Sequence, residues 1–222
     1  MTELRQGSRA KSVQTAARGG SNFSGQRVSF RFRAGAKIAR HPTRIPSLAM
    51  DLSYPIGRAD RSPALSSDAR AQAIDDIAAA PQRFRSAVAG LSDAQLDTPY
   101  RPGGWTIRQV VHHVPDSHIN AFVRTKLALT EDNPTIKPYD QDAWSKLEDA
   151  RSTPIETSLR LLEDVHDRWV RVLRAMRPED FGRTLQHPEN GTMTMDQVLS
   201  MYSWHGKHHT AHVTGLRERN GW

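Results

Sequence analysis

Between residues 67 and 91 the apolar positions Ala73, Ile74, Ile77 and Ala78, followed by Phe84, Val88 and Leu91, recur at spacings of three and four. That is the period of one buried helix face. Pro81 falls inside the run, where its missing N–H and its ring are expected to kink the helix or break it in two. A second helix is predicted from a Thr106 cap to about residue 129, with Pro115 as a further interruption. The stretch NPTIKPYD, residues 133 to 140, reads as a loop, and residues 142 to 150 as a short helix at most. Thr153-Pro154-Ile155-Glu156 combines an N-cap, a proline at the first helical position and a capping-box glutamate. It predicts a third long helix to Arg177, on which Leu159, Leu162, Val165, Trp169, Val172 and Leu173 keep helical spacing.

Between Phe181 and Thr194 the pattern changes to a short polar connection. Asn190-Gly191 lies within it, a pair that tolerates a tight reversed turn, so a small hairpin is predicted. Thr194, with Gln197 three residues on, then caps a last helix to about Arg219. Four long helices with little strand signal give an all-α fold, a four-helix bundle with a hairpin-like connection before the last helix. Trp105, Trp144, Trp169 and Trp204 are read first as core anchors, Trp204 beside His205 being the exception that could face a ligand.

Composition divides the chain. Residues 1–49 hold ten Lys and Arg against one acid, a net charge of +9, although the whole chain carries only +7. Residues 50–222 therefore form a slightly acidic body, and nucleic-acid binding is not expected of it. The basic segment, rich in Arg, Ser and Gly, lacks the apolar pattern needed to offset ordering entropy, so it is expected to be disordered. It has the composition of a transit peptide or a basic arm, but Met50 also suits a start site, with residues 1–49 an upstream over-extension of the reading frame. The 222 residues suit one domain with an extension. There is no cysteine, which excludes disulfides, thiolate ligands and a cysteine nucleophile and fits a cytoplasmic protein. No apolar run of about 18 residues occurs, so no membrane span is expected.

Seven of the ten histidines fall in two windows: His112, His113 and His118 on the second predicted helix, and His205, His208, His209 and His212 on the last. At about 100° per residue, Val198, Tyr202, Val213 and Leu216 define an apolar stripe with His205 and His209 at its centre and His212 at its edge. His208 is displaced by about a quarter turn, and Lys207 points away. Residues four apart stack about 5–6 Å from each other, so two imidazoles can converge on one ion at about 2.1 Å each. Gly206 stands where a zincin helix carries its glutamate, which excludes that motif. The competing reading, two buried hydrogen-bonded histidines, is weakened by the second cluster. An open catalytic zinc site takes three protein ligands, and the second helix must supply the third. Spacing leaves two choices: His118, central on the stripe Ile107, Val111, Val114 and Phe122, or His113, on a polar stripe with Gln109, Asp116, Asn120 and Arg124.

The segments DLSYPIG (51–57), LDTPYRPGGWTIRQVVHHVPDSHIN (96–120), KLALTEDNPTIKPYDQDAW (126–144) and YSWHGKHHTAH (202–212) resemble the YfiT-type branch of the DinB superfamily. The resemblance implies a four-helix bundle, often a homodimer, that holds one divalent ion per chain, Zn2+ or Ni2+, on one histidine of the second helix and two of the last. By position these are His113, His205 and His209. Turning the polar stripe inward also makes Asp116 a candidate base or a support for a ligand, and Asn120 and Arg124 candidate substrate-binding residues, which Trp204 joins from its place beside His205. The chain departs from the pattern at Pro115, where a small residue is expected, and at Lys207, where a further histidine is expected.

The resemblance implies a metal-dependent enzyme of one of two kinds. Such a site lowers the pKa of bound water from about 15.7 to about 7 for hydrolysis, and deprotonates a coordinated thiol for transfer. Transfer of a low-molecular-weight, bacillithiol-like thiol to a small electrophile is the leading expectation, since a chain without cysteine must take its thiol from a cosubstrate. Hydrolysis is the first alternative, and a non-catalytic metal-binding stress protein the second.

Overall fold

Hydroxyl caps start three of the four long helices in a computed structural model that describes residues 51–222. The expected basic extension and the start at Met50 lie outside the described residues. Helix α1 (Ser67–Val88) begins where Ser66 accepts from the Ala69 amide. Helices α2 (Ile107–Thr130) and α4 (Met195–Asn220) begin on complete capping boxes, Thr106 with Gln109 and Thr194 with Gln197. Gly221, at φ +67°, closes α4 in the left-handed conformation that glycine adopts without strain. Helix α3 (Ile155–Ala175) departs from expectation: Pro154 is its N-cap, no side chain caps it, and the helix stops at Ala175. Glu156 is drawn instead across the bundle to Arg85, whose guanidinium donates to it at 2.7 and 3.1 Å.

Both internal prolines sit in unbroken helices, Pro81 in α1 and Pro115 in α2, contrary to the predicted interruption. A proline leaves the carbonyl four residues earlier without its helical donor. For Pro81 that carbonyl is Ile77 O, and His166 Nδ1 of α3 donates to it at 2.7 Å. The short helix expected over residues 142–150 resolves into two single turns, Gln141–Trp144 and Asp149–Ser152. The predicted hairpin forms: β1 (Thr184–His187) pairs antiparallel with β2 (Gly191–Thr194), and Gly191 takes φ +73° at the turn.

The order of packing places the site. Helix α1 packs on α4 and α3, and α2 packs on α3 and α4, so the consecutive helices α1 and α2 lie diagonally across the bundle. This topology sets the histidine faces of α2 and α4 side by side. Two apolar clusters fill the interior. One gathers Ile77, Ala121, Trp169, Leu173 and Tyr202. The other gathers Phe84, Val111, Val114, Leu162 and Val213. On every long helix the boundary between them falls at a polar or small position: Pro81 on α1, His118 on α2, His166 on α3, and His205-Gly206 on α4. A layer of histidine crosses the core there. Gly206 permits it, because a Cβ at that position would lie 3.1 Å from Ala80 Cβ and 3.9 Å from His118 Cε1.

Candidate metal centre

Helices α2 and α4 bring His113, His205 and His209 together, with one ligand-capable atom from each within 4.8 Å of the others. The ring of His113 lies 5.4 Å from that of His205 and 5.0 Å from that of His209, centroid to centroid. Neither of its nitrogens has a hydrogen-bond partner among the described residues. All three rings line a cleft of about 470 Å³. A second group, His208, His209 and His212, is equally close but comes from α4 alone and shares His209. Within it His209 Nδ1 and His212 Nδ1 are 3.4 Å apart, and the His212 ring stacks on Tyr100 at 3.9 Å.

Electrostatics suit a cation bound by neutral imidazole. Burial pushes His113 down to about 4. Burial, reinforced by neighbouring histidines, holds His205 and His209 well below the ordinary histidine range. At neutral pH the cluster therefore offers lone pairs without first losing protons, which is the state that metal binding requires. Three imidazole nitrogens converging on an open cleft fit a divalent ion with a free coordination position.

The rest of the cleft comes from parts of the chain that spacing did not single out. Ser53 and Tyr54 of the first described turn line it, with Tyr100, Arg101, Gly103, Gly104 and Trp105 from the loop before α2, and Gln141 and Asp142 from the turn after it. Asp142 is the one carboxylate among the lining residues, and Trp105 Nε1 donates to it at 3.1 Å. Arg101 is the one guanidinium. Gly104 has no room for a Cβ, which would meet Arg101 Cγ at 2.7 Å, so the loop YRPGGW needs glycine there to close over the site. The DLSYPIG and PYRPGGW segments carried this signal in sequence, but only the fold shows that they meet.

Trp204 lines the cleft, stacked on His208 at 4.2 Å while its Nε1 donates to Gly57 O. The other three divide: Trp169 is fully buried, Trp105 lines the cleft, and Trp144 is 39% exposed, so of these only Trp169 is the expected core anchor. Asp116, Asn120 and Arg124 are not among the cleft's lining residues. Asn120 donates to Asp116 O and Arg124 to Lys137 O, so on this stripe of α2 only His113 reaches the cleft. Burial, with Asp149 nearby, raises Asp116 to about 6, three residues along α2 from His113 and outside the cleft's lining. His118, the rejected ligand, sits behind His205 with its Nε2 3.0 Å from His205 Nδ1. Lys207 pairs with Asp76 of α1 on the far side of α4.

Comparison with known proteins matches residues 76–213 to the DinB superfamily. A Bacillus mycoides protein named "putative metal-dependent hydrolase" is 46% identical over 172 residues, 78% of this chain and 99% of its own length. A Bacillus thuringiensis subsp. konkukian protein of the same name is 47% identical over the same shares. The solved structure of YfiT from Bacillus subtilis, described as a probable metal-dependent hydrolase with an unusual four-helix bundle topology, aligns with a TM-score of 0.75 at 44% identity. It covers 77% of this chain and 98% of that one.

Proposed function

Because the chain belongs to the DinB superfamily, we propose that it is a metal-dependent hydrolase whose ion is held by His113, His205 and His209. One observation carries the reading: three imidazoles kept neutral by burial converge from two helices on an open cleft. The names of the relatives support hydrolysis over the thiol transfer that led the expectations from sequence. The first metal group is preferred to His208, His209 and His212 because it draws on two helices, whereas the second comes from one.

When bound, a divalent ion in such a site polarises a substrate oxygen and acidifies water, to a pKa of about 7 in the zinc case. The chain's own groups supply the rest. Asp142, steadied by the Trp105 indole, is the cleft carboxylate that can accept a proton from water and return it to a leaving group. Arg101 gives the cleft a fixed positive charge that favours a substrate with an anionic group. Tyr54, Tyr100 and Trp204 form apolar walls that orient a small molecule and keep bulk water out.

Transfer of a low-molecular-weight thiol is the second reading. The same donor set would deprotonate a bound thiol, and the chain has no cysteine to compete for the ion. The deciding experiment is metal analysis of the purified protein, followed by assays with a panel of small anionic esters and amides and, separately, of thiol consumption with a generic electrophile. About one ion per chain with metal-dependent hydrolysis is expected. Metal-dependent thiol consumption without hydrolysis would transfer the assignment to the second reading. Full metal content in the His113→Ala, His205→Ala, His209→Ala triple variant would overturn the site, and loss of metal in His212→Ala but not in His113→Ala would move it to the second group.

A further inference from the structure

Three histidines link the backbone of α1 to the candidate ligand His205. His166 Nδ1 lies 2.7 Å from Ile77 O, His166 Nε2 lies 2.7 Å from His118 Nδ1, and His118 Nε2 lies 3.0 Å from His205 Nδ1. Distances alone do not say which atom of each pair carries the proton, but the first link does. A carbonyl oxygen can only accept, so His166 Nδ1 carries hydrogen. A neutral imidazole has one N–H and one lone pair, so His166 Nε2 accepts and His118 Nδ1 must donate to it. By the same step His118 Nε2 accepts and His205 Nδ1 must donate. The polarity propagates without a free choice, and it leaves the His205 lone pair on Nε2, the nitrogen not spent on His118.

We propose that His118 and His166 are positioning residues that lock His205 in its Nδ1–H tautomer and so present the Nε2 lone pair to the ion. The proposal rests on the reading of His205 as a ligand. Ligating histidines generally use their second nitrogen to fix tautomer and ring orientation. Here the fixing partner is neither a carboxylate nor a backbone carbonyl directly, but a carbonyl two imidazoles away. That carbonyl is free to act because Pro81 withholds its helical donor. The surroundings keep the chain in place. His118 is fully buried, its ring stacked on His166 at 4.8 Å and edge-on to Tyr202 at 5.1 Å and Trp169 at 6.0 Å. Among the described residues no carboxylate hydrogen-bonds to His166, His118 or His205, so nothing there favours a charged ring over a neutral one.

The test is made first on the metal-free full-length protein, where it does not depend on the ligand assignment. Long-range proton–nitrogen correlation spectra of 15N-labelled protein distinguish protonated from bare ring nitrogens. Protonated Nδ1 and bare Nε2 are expected for His166, His118 and His205. Protonated Nε2 on His205 would overturn the proposal. Zinc affinity is then measured by competition with a chromophoric chelator. His166→Gln, whose amide can donate to Ile77 O and accept from His118, should keep the wild-type His205 tautomer and bind within a few-fold of wild type. His166→Leu and His118→Phe should mix the His205 tautomers and weaken binding about 10–100-fold. Wild-type affinity in a folded His118→Phe protein would defeat the proposal. If that variant does not fold, the comparison of His166→Leu with His166→Gln decides, and equal affinities there defeat it too. Retention of zinc by His205→Ala would overturn the ligand reading separately, leaving the tautomer result standing on its own spectrum.

Discussion

Asp142 owes its place at the cleft to one indole hydrogen bond and to a turn that brings residues 141 and 142 beside the histidines. If it moves the proton in hydrolysis, Asp142→Asn should lower kcat about 10²-fold or more while metal content and KM stay near wild type. A loss confined to KM would make it a binding residue instead. His166 has a different signature. Burial lowers it to about 4, although its bond to Ile77 O opposes the shift. The unfolded chain, near the ordinary value of about 6.5, therefore binds more protons between those limits. Stability from keeping His166 neutral is present above about pH 6.5 and lost as pH falls toward 4. Thermal melts of the metal-free protein should show a steeper acid fall for wild type than for His166→Gln, with the difference confined to that window. Parallel curves would remove His166 from the account. The residue type was visible in sequence, but nothing in its spacing marked His166, which lies alone on an otherwise regular amphipathic helix.

At the scale of the element, local rules succeeded where the partner is local. The Thr106 cap and the Thr194 box formed as predicted, and Gln109 completes a box at Thr106 too, because both halves of each bond lie within four residues. Thr194→Ala should cost about 1 kcal/mol in denaturant unfolding, since it removes the cap and the 2.8 Å bond from Thr194 Oγ1 to Pro63 O. The rules failed where a distant group competes. Glu156 leaves its own helix end for Arg85, and Pro81 does not break α1 because α3 supplies a donor for the exposed carbonyl. Gly206 is a third such position. In a helix interior it reads as a defect worth about 1 kcal/mol against alanine, yet α1 passes too close for a larger residue. Gly206→Val should destabilise the protein by about 1–3 kcal/mol, because its Cβ would already press on Ala80 Cβ at 3.1 Å and its methyls add further bulk between α4 and α1. A Gly206→Val protein of wild-type stability would show that the close approach has no energetic consequence.

Across the whole molecule, metal and fold should be coupled, because the three proposed ligands sit on two helices that are separate in the unfolded chain. An ion that binds only the folded state at about 100 times its Kd adds about 2.7 kcal/mol. Melting with and without Zn2+ should therefore show a rise in Tm that chelation reverses and that the triple histidine variant lacks. No rise at saturating zinc would argue against a folded-state site. By itself the sequence determined the four helices, the hairpin and the pairing of His205 with His209, because helix period, capping boxes and an Asn-Gly turn are properties of neighbouring residues. It also placed Trp204 beside the site. Helix period could not choose between His113 and His118, and the resemblance alone pointed to His113, since both lie on α2 and the docking of α2 beside α4 says which ring meets the cleft and which stands behind it. For the same reason it turned Asp116, Asn120 and Arg124 toward a pocket that they do not line, and passed over Asp142 and Arg101, which come from loops with no period to read. The order of the histidine chain was decided last and farthest away, by a proline on α1 that leaves one carbonyl open and by the packing of α3 that fills it.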